Sequence, residues 1–315
     1  MMRCGLILDT AKSVASILDD VRALDRSGIS SVWCAQQFGY DALTLLAVVG
    51  AHVPDVELMS TVVPTYPRHP IALATQALTV QAASGARLTL GIGVSNQAVI
   101  EGRFGYSYDQ PVRHLDDYLS VLLPLLRGEQ VNFKGDTLTG ATLSPLAVAA
   151  PAPPVLIGAL SPRMLTLAGE RADGTVTWLA GPRTLAKDVV PTITAVAEAA
   201  GRPPPRIAVG AGVCVTDDPV GARERVDRQY AAYRRVPAYR RLLAREGVST
   251  PSEVSIIGDE DEVARRITEL AAIGATDLGV ETLGTEIERE RALAAITSIA
   301  RALGPTDAPA REASR

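Results

Sequence analysis

Few of the 315 residues are cysteine, histidine or aromatic, and each shortage narrows the classes of protein to which the chain can belong. The three cysteines are odd in number and far apart, and each lies in an apolar run, which is not the pattern of a disulfide framework. We therefore expect buried free thiols in a reducing compartment. The three histidines do not show the spacing of metal ligands, so no metal site is predicted.

An excess of positive charge and long hydrophobic runs are also lacking. The formal net charge is −4, so we expect no basic surface of the kind that binds nucleic acids. No apolar run reaches the roughly 20 residues that span a bilayer. The apolar run at the start of the chain breaks at Asp9, unlike a signal peptide. These features predict a cytoplasmic protein without nucleic-acid or membrane partners.

The apolar residues that are present are mostly aliphatic. Hydrophobic residues make up 47% of the chain and aromatic residues only 4%, so the core must be built from Ala, Val, Leu and Ile, as in buried parallel sheets. Short apolar runs alternate with amphipathic stretches throughout, which is the pattern of repeated βα units. Eight strands are predicted, at 4–8, 30–34, 56–63, 87–92, 154–157, 174–178, 206–215 and 277–282.

This pattern predicts an α/β fold, a (β/α)8 TIM barrel. The barrel is expected to occupy residues 1–303 as one domain, with a flexible tail at 304–315. A doubly wound sheet would need a glycine-rich turn directly after the first strand, and residues 9–12 (Asp-Thr-Ala-Lys) are not such a turn.

Two small insertions are expected to interrupt the barrel. The first, at 128–150, contains a predicted hairpin with a Lys-Gly-Asp turn at 134–136. The second, at 236–253, is predicted to be a loose polar loop that follows a helix at 220–235.

Polar residues that directly follow the strands of such a barrel point into the catalytic mouth. Those positions hold Asp9, Gln36, Gln37, the segment 61–69, Ser95, Asn96, Ser161, Trp178 and Glu281. The chain contains no Gly-x-Ser-x-Gly nucleophile turn and no P-loop, and no spacing fixes a carboxylate pair. The candidate catalytic residues are Gln36, Gln37, Asn96 and Trp178. Because these side chains can do little chemistry alone, the mouth favours a cofactor that brings its own reactivity.

Three glycine-containing segments at predicted strand ends suit a bound cofactor. In 91–96, glycines allow the backbone to approach a ligand closely. Segment 158–163 ends a strand and opens a helix, so free N–H groups, the helix dipole, the Ser161 hydroxyl and Arg163 converge in a way that suits a phosphate. Segment 181–184 repeats this arrangement after the next strand.

Segments 40–44, 62–70, 88–93, 104–107 and 178–183 together resemble the luciferase-like flavin and deazaflavin oxidoreductases, in particular coenzyme F420-dependent members of the actinobacterial type. The motifs Arg-His-Pro at 68–70 and Leu-Thr-Leu-Gly-Ile-Gly at 88–93 carry most of the likeness. The resemblance covers nearly the whole chain. It implies a barrel of the bacterial luciferase-like type with the cofactor across the strand ends.

The resemblance also implies how the cofactor is held. A non-proline cis peptide would lie within Ser60 to Val62 and back the deazaflavin ring, and residues 158–161 would form the phosphate loop. Two arginines can serve the anionic tail, because guanidinium groups suit phosphate and carboxylate. The cofactor-binding residues expected are Ser60, Thr61, Val62, Gly93, Ser95, Asn96, Gly158, Ala159, Ser161, Arg163 and Arg183. Many relatives carry a histidine or an acidic residue where Gln36, Gln37 or Asn96 stands here, so no proton donor is carried over.

The functional hypothesis is a coenzyme F420-dependent oxidoreductase that transfers a hydride between the deazaflavin and a small organic substrate. Two alternatives stay open: an FMN-dependent luciferase-like monooxygenase, and a non-catalytic cofactor-binding barrel or partner subunit. The sequence also leaves open the substrate, the direction of hydride transfer and whether the chain forms a homodimer.

Overall fold

The computed structural model describes residues 2–24 and 27–303, in which eight parallel strands close into a barrel. The strands in chain order are β1 (Arg3–Ile7), β2 (Ser31–Cys34), β3 (Glu57–Ser60), β4 (Val63–Pro64), β5 (Leu88–Gly93), β6 (Asn132–Lys134), β7 (Thr139–Ala141), β8 (Val155–Gly158), β9 (Gly174–Trp178), β10 (Arg206–Val215), β11 (Ile256–Gly258) and β12 (Asp277–Thr282). The barrel order is β1-β2-β3-β5-β8-β9-β10-β12, and it closes where Leu278 lies opposite both Val209 and Cys4. The predicted barrel is confirmed, whereas the tail predicted at 304–315 lies outside the described residues.

Helices surround the barrel and connect its strands. They are α1 (Val14–Arg22), α2 (Ala42–His52), α3 (Pro70–Ala83), α4 (Gln97–Phe104), α5 (Pro111–Leu126), α6 (Pro162–Arg171), α7 (Pro182–Thr184), α8 (Val190–Ala199), α9 (Pro219–Gln229), α10 (Pro237–Glu246), α11 (Pro251–Val254), α12 (Glu260–Ile273) and α13 (Glu286–Leu303). A π-helical turn, Leu185–Val189, joins α7 to α8. No described helix is long and apolar enough to cross a membrane.

The barrel interior is filled in layers, because every second residue of a strand points to the same face. At the amino-terminal end, the Arg206 guanidinium donates hydrogen bonds to Asp277 (Nη2 to Oδ1, 2.8 Å) and to Glu57 (Nη1 to Oε1, 2.7 Å). The buried ring of Trp33 fills the next layer, and a Cβ atom at Gly279 would lie 2.1 Å from it. This filling leaves the carboxyl ends of the strands as the open end of the barrel.

The first insertion carries the predicted hairpin outside the barrel. Strands β6 and β7 are antiparallel, and the Gly135 N–H donates to the Leu138 carbonyl at 2.9 Å. The turn therefore extends to 138, beyond the predicted Lys-Gly-Asp sequence. The Thr137 N–H donates to the Asp117 carboxylate at 2.8 Å, which attaches the turn to α5.

The second insertion is ordered, and we call residues 216–255, between β10 and β11, the excursion. The helix predicted at 220–235 is present but ends at Gln229, and the prediction of a loose loop at 236–253 is wrong. Strand β10 continues past the barrel to pair with β11, and α9, α10 and α11 lie between these two strands. Helix α12 then returns the chain to β12. In α10 the buried residues are the adjacent Leu242 and Leu243, so its sequence shows little of the apolar periodicity that indicates a packed helix.

Candidate cofactor site at the barrel mouth

One side of the mouth is built where β3 gives way to β4. The peptide bond between Thr61 and Val62 is cis, which confirms the predicted non-proline cis peptide. The Ser60 hydroxyl accepts a hydrogen bond from the Gly91 N–H and donates one to the Gly91 carbonyl, both at 2.9 Å. Ser60 is fully buried, so its side chain joins β3 to β5 and is not open to a ligand.

Three glycines at the ends of β5 and β8 surround the half-buried Val62 side chain. We call Val62 and these glycines, Gly91, Gly93 and Gly158, the glycine floor. A Cβ atom at Gly93 would lie 2.8 Å from a Val62 methyl group, and one at Gly158 would lie 3.4 Å from both methyl groups. At Gly91 a Cβ atom would lie 2.0 Å from the Ser60 carbonyl oxygen, so only glycine fits. The result is an uncharged surface of backbone and the Val62 side chain, on which a planar ring can lie.

The start of α6 lies beside this floor and is open to an anion. The Ser161 Oγ accepts a hydrogen bond from the Met164 N–H at 3.4 Å and so caps the helix. Within the described residues, the N–H groups of Leu160, Ser161 and Arg163 have no hydrogen-bond partner. Free N–H groups at the positive end of a helix dipole bind anions. The arrangement predicted for 158–163 therefore fits a phosphate.

The start of α7 differs, because a carboxylate of the chain already occupies it. Glu246 of α10 accepts hydrogen bonds from the N–H groups of Arg183 (3.0 Å) and Thr184 (2.7 Å). A Cβ atom at Gly181 would lie 2.4 Å from the Glu246 carboxyl carbon. The expectation of free N–H groups at 181–184 is wrong, although the Arg183 side chain is exposed. Sequence reasoning missed Glu246 because it lies in the segment that was predicted as a loose loop.

Two of the four candidate catalytic residues accept hydrogen bonds from nearby backbone N–H groups. Gln36 accepts a hydrogen bond from the Ala42 N–H at 2.9 Å, at the start of α2. Asn96 caps α4 by accepting a bond from the Val99 N–H at 3.2 Å. Gln37 is exposed, and Trp178 is half-buried at the end of β9. These contacts leave Gln37 and Trp178 free of such structural roles.

Trp178 belongs to an aromatic wall, which we define as Trp178, Tyr230, Tyr233 and Tyr239. Ring centroids lie 5.8 Å apart for Trp178 and Tyr230, 5.7 Å for Tyr230 and Tyr233, and 4.8 Å for Tyr233 and Tyr239. A Cβ atom at Gly210 would lie 2.8 Å from the indole ring, so the indole covers β10 inside the mouth. The three tyrosines come from the excursion and were not predicted as part of the site.

Glu281 lies next to the aromatic wall, at the end of β12. Its carboxylate accepts hydrogen bonds from the Tyr230 hydroxyl (2.8 Å) and from the Gln229 amide (3.1 Å). Burial raises the pKa of the Glu281 carboxyl, and the nearby Asp9 raises it further, while the two donors and Arg289 act in the opposite direction. The net shift of the pKa is upward.

Comparison with known proteins identifies the family of the barrel. The sequence model of the luciferase-like monooxygenases matches residues 3–277. The chain belongs to this family. As a luciferase-like protein it is an oxidoreductase.

Individual relatives agree with this assignment. A 5,10-methylenetetrahydromethanopterin reductase of Methanolobus tindarius is 26% identical over 308 residues, covering 88% of this chain and 93% of that protein. A Mycobacterium tuberculosis protein named "Putative coenzyme F420-dependent oxidoreductase" is 31% identical over 176 residues, covering 52% of this chain and 51% of that protein. Among solved structures, the coenzyme F420 dependent tetrahydromethanopterin reductase of Methanopyrus kandleri shares the fold, with a TM-score of 0.80, 21% identity and coverage of 94% and 97%.

Motifs that carry the luciferase-like resemblance hold one another in place. Arg68 forms an ion pair with Asp41 at 2.6 Å, which joins the segments 62–70 and 40–44. The Tyr118 hydroxyl donates to the Arg68 carbonyl at 2.6 Å. The His69 side chain accepts a hydrogen bond from the Ile71 N–H at 3.3 Å at the start of α3. These residues therefore fix the loop that follows the cis peptide.

His114 and the three cysteines are buried away from the mouth's open surface. His114 is buried against Tyr66, with ring centroids 3.9 Å apart, and burial lowers the pKa of His114 to about 4. It is therefore neutral at neutral pH. The cysteines are buried and free, as predicted, and burial raises the pKa of each thiol; they are Cys4, Cys34 and Cys214. No cluster of metal-ligating side chains occurs among the described residues.

Proposed function

We propose that this luciferase-like protein is a coenzyme F420-dependent oxidoreductase that transfers a hydride between the deazaflavin and a small organic substrate. The observation that carries the proposal is the junction at Gly158, which belongs both to the glycine floor and to the loop that opens α6. If the ring of a cofactor lies on the glycine floor, the free N–H groups at the start of α6 are close by and suit the phosphate of the same cofactor. The names of the two relatives, a reductase and an F420-dependent oxidoreductase, support this choice.

The residues of the mouth divide into three groups around such a cofactor. When bound, F420 supplies a hydride donor or acceptor, which no side chain of the mouth can be. Residues proposed to contact the ring are Thr61, Val62, Gly93, Ser95, Asn96 and Gly158, and those proposed for the phosphate and the tail are Ala159, Ser161, Arg163 and Arg183. The aromatic wall and Glu281 are left for the substrate.

Reduced F420 supplied without oxygen tests the proposed reaction. We expect the absorbance of oxidised F420 to return when the protein is mixed with reduced F420 and a panel of small carbonyl and imine compounds. The parallel assay supplies reduced FMN and oxygen. Turnover with FMN and none with F420 would contradict the proposal in favour of a monooxygenase, and turnover with neither would favour a non-catalytic barrel.

A further inference from the structure

Glu281 points into the mouth because of its position along β12. Asp277 accepts a hydrogen bond from Arg206 in the layer at the amino-terminal end of the barrel, and Gly279 faces the Trp33 ring in the next layer. Since side chains two residues apart lie on the same face of a strand, Glu281 forms the third layer on the inner face. Its carboxyl group is therefore at the open end of the barrel and beside the aromatic wall.

The partners of Glu281 are neutral. Its two hydrogen bonds come from a phenol, Tyr230, and an amide, Gln229. In the described part of the chain, no lysine or arginine lies within ion-pair distance of Glu281. The charged groups that face it are Asp9, after β1, and Arg289, on α13, and these two pair with each other at 4.0 Å. Tyr233 lies on the same side and carries no charge at neutral pH, since burial raises its pKa to about 12.

We propose that Glu281 is the proton-holding residue of the mouth and gives its proton to an uncharged substrate that lies against the aromatic wall. This inference rests on the proposed function. As a hydride bonds to the substrate carbon, the π bond of the C=O or C=N group would break and its electron pair would move to the oxygen or nitrogen. The O–H bond of Glu281 would then break, and its proton would bond to that oxygen or nitrogen. Glu281 is left as a carboxylate and regains its proton from water, so the residue itself moves no electrons.

The same geometry indicates the class of substrate. The wall is built from four uncharged aromatic rings, of which those of Trp178, Tyr233 and Tyr239 are half-buried, and such a surface favours an apolar or aromatic body. An anionic substrate would meet the Asp9 carboxylate, and Arg289, the cation beside Asp9, is already paired with it. We therefore expect an uncharged carbonyl or imine compound.

Infrared spectroscopy of the protein, with and without F420, tests whether Glu281 holds a proton. The wild type should show a carboxylic-acid C=O band at pH values well above the ordinary glutamate pKa of about 4.3. Glu281→Gln, which has the same shape, should lack this band. The matched control Glu198→Gln, at an exposed position of α8, should keep it. Tyr230→Phe removes a donor that favours the charged form, so its band should persist to higher pH.

Turnover supplies the second measurement. With any acceptor that the wild type reduces, Glu281→Gln should lower kcat about 10²- to 10⁴-fold, the usual range for loss of a general acid, and should leave the affinity for F420 unchanged. A band that survives in Glu281→Gln, a wild type without the band, or an unchanged kcat would overturn the inference even if F420 binds. If Glu281→Gln does not fold, the Tyr230→Phe variant provides the test: a carboxylic-acid band that does not persist to higher pH than in the wild type would overturn the inference. Failure of the wild type to bind F420 would instead overturn the proposed function.

Discussion

Replacing Arg206 with methionine is expected to lower the free energy of unfolding by about 3 kcal/mol, because it removes the cation from a nearly buried group of carboxylates. The Asp277 side chain is 2% exposed, and the side chains of Glu57 and Arg206 are 19% exposed. Arg3 also pairs with Asp277 (2.6 Å) and Glu57 (3.1 Å). Since Arg3 remains in the variant, we expect a loss at the lower end of the range for a broken buried pair.

Denaturant unfolding of the wild type, Arg206→Met and a surface control measures this effect. The control is Arg265→Met on α12, where a 61% exposed side chain pairs with Glu262 at 2.7 Å. An exposed pair of this kind contributes little to stability, because water screens its charges and two long side chains lose freedom in forming it. Losses of similar size in the two variants would show that the lower layer of the barrel does not stabilise the fold in the way described.

Replacing Ser161 with aspartate is expected to weaken F420 binding by on the order of 2–4 kcal/mol, or about 30- to 1000-fold in Kd. The new carboxylate would stand at the start of α6, where the phosphate is proposed to bind, and like charges at short range repel. Aspartate caps helices about as well as serine, so the bond to Met164 can be replaced and the fold should survive.

Ser13→Asp is the matched control for this variant. Ser13 caps α1 by accepting a bond from the Ser16 N–H at 3.3 Å, and α1 also begins after a strand of the barrel. Its affinity for F420 should equal that of the wild type. Unchanged affinity in a folded Ser161→Asp protein would move the phosphate away from α6, and equal losses in both variants would point to net charge instead of a specific contact.

The features that the sequence could predict are those set by local periodicity and by resemblance. Alternating apolar runs predicted the barrel, because each strand is short and buried on both faces. The glycines at 93 and 158 predicted a backbone that other groups can approach closely, and the Val62 side chain does lie against both of them. The cis peptide came from the resemblance alone, since no local pattern indicates such a bond.

The features that escaped prediction depend on contacts distant in sequence. Glu246 fills the helix start at Arg183 and Thr184 from about 60 residues away, and only tertiary structure brings them together. Tyr230 and Tyr233 likewise reach the mouth from the excursion. One miss could have been avoided. Asparagine directly before a helix is a common cap, so the role of Asn96 was available from its position once α4 was recognised.

A fluorescence titration of the wild-type protein with F420 and, separately, with FMN tests the central claim most directly. Both molecules offer a planar ring for the glycine floor and a phosphate for the free N–H groups at the start of α6. F420 also carries a longer anionic tail, for which the exposed Arg163 and Arg183 side chains are available. We expect tighter binding of F420 than of FMN, and equal or tighter binding of FMN would contradict the proposed function.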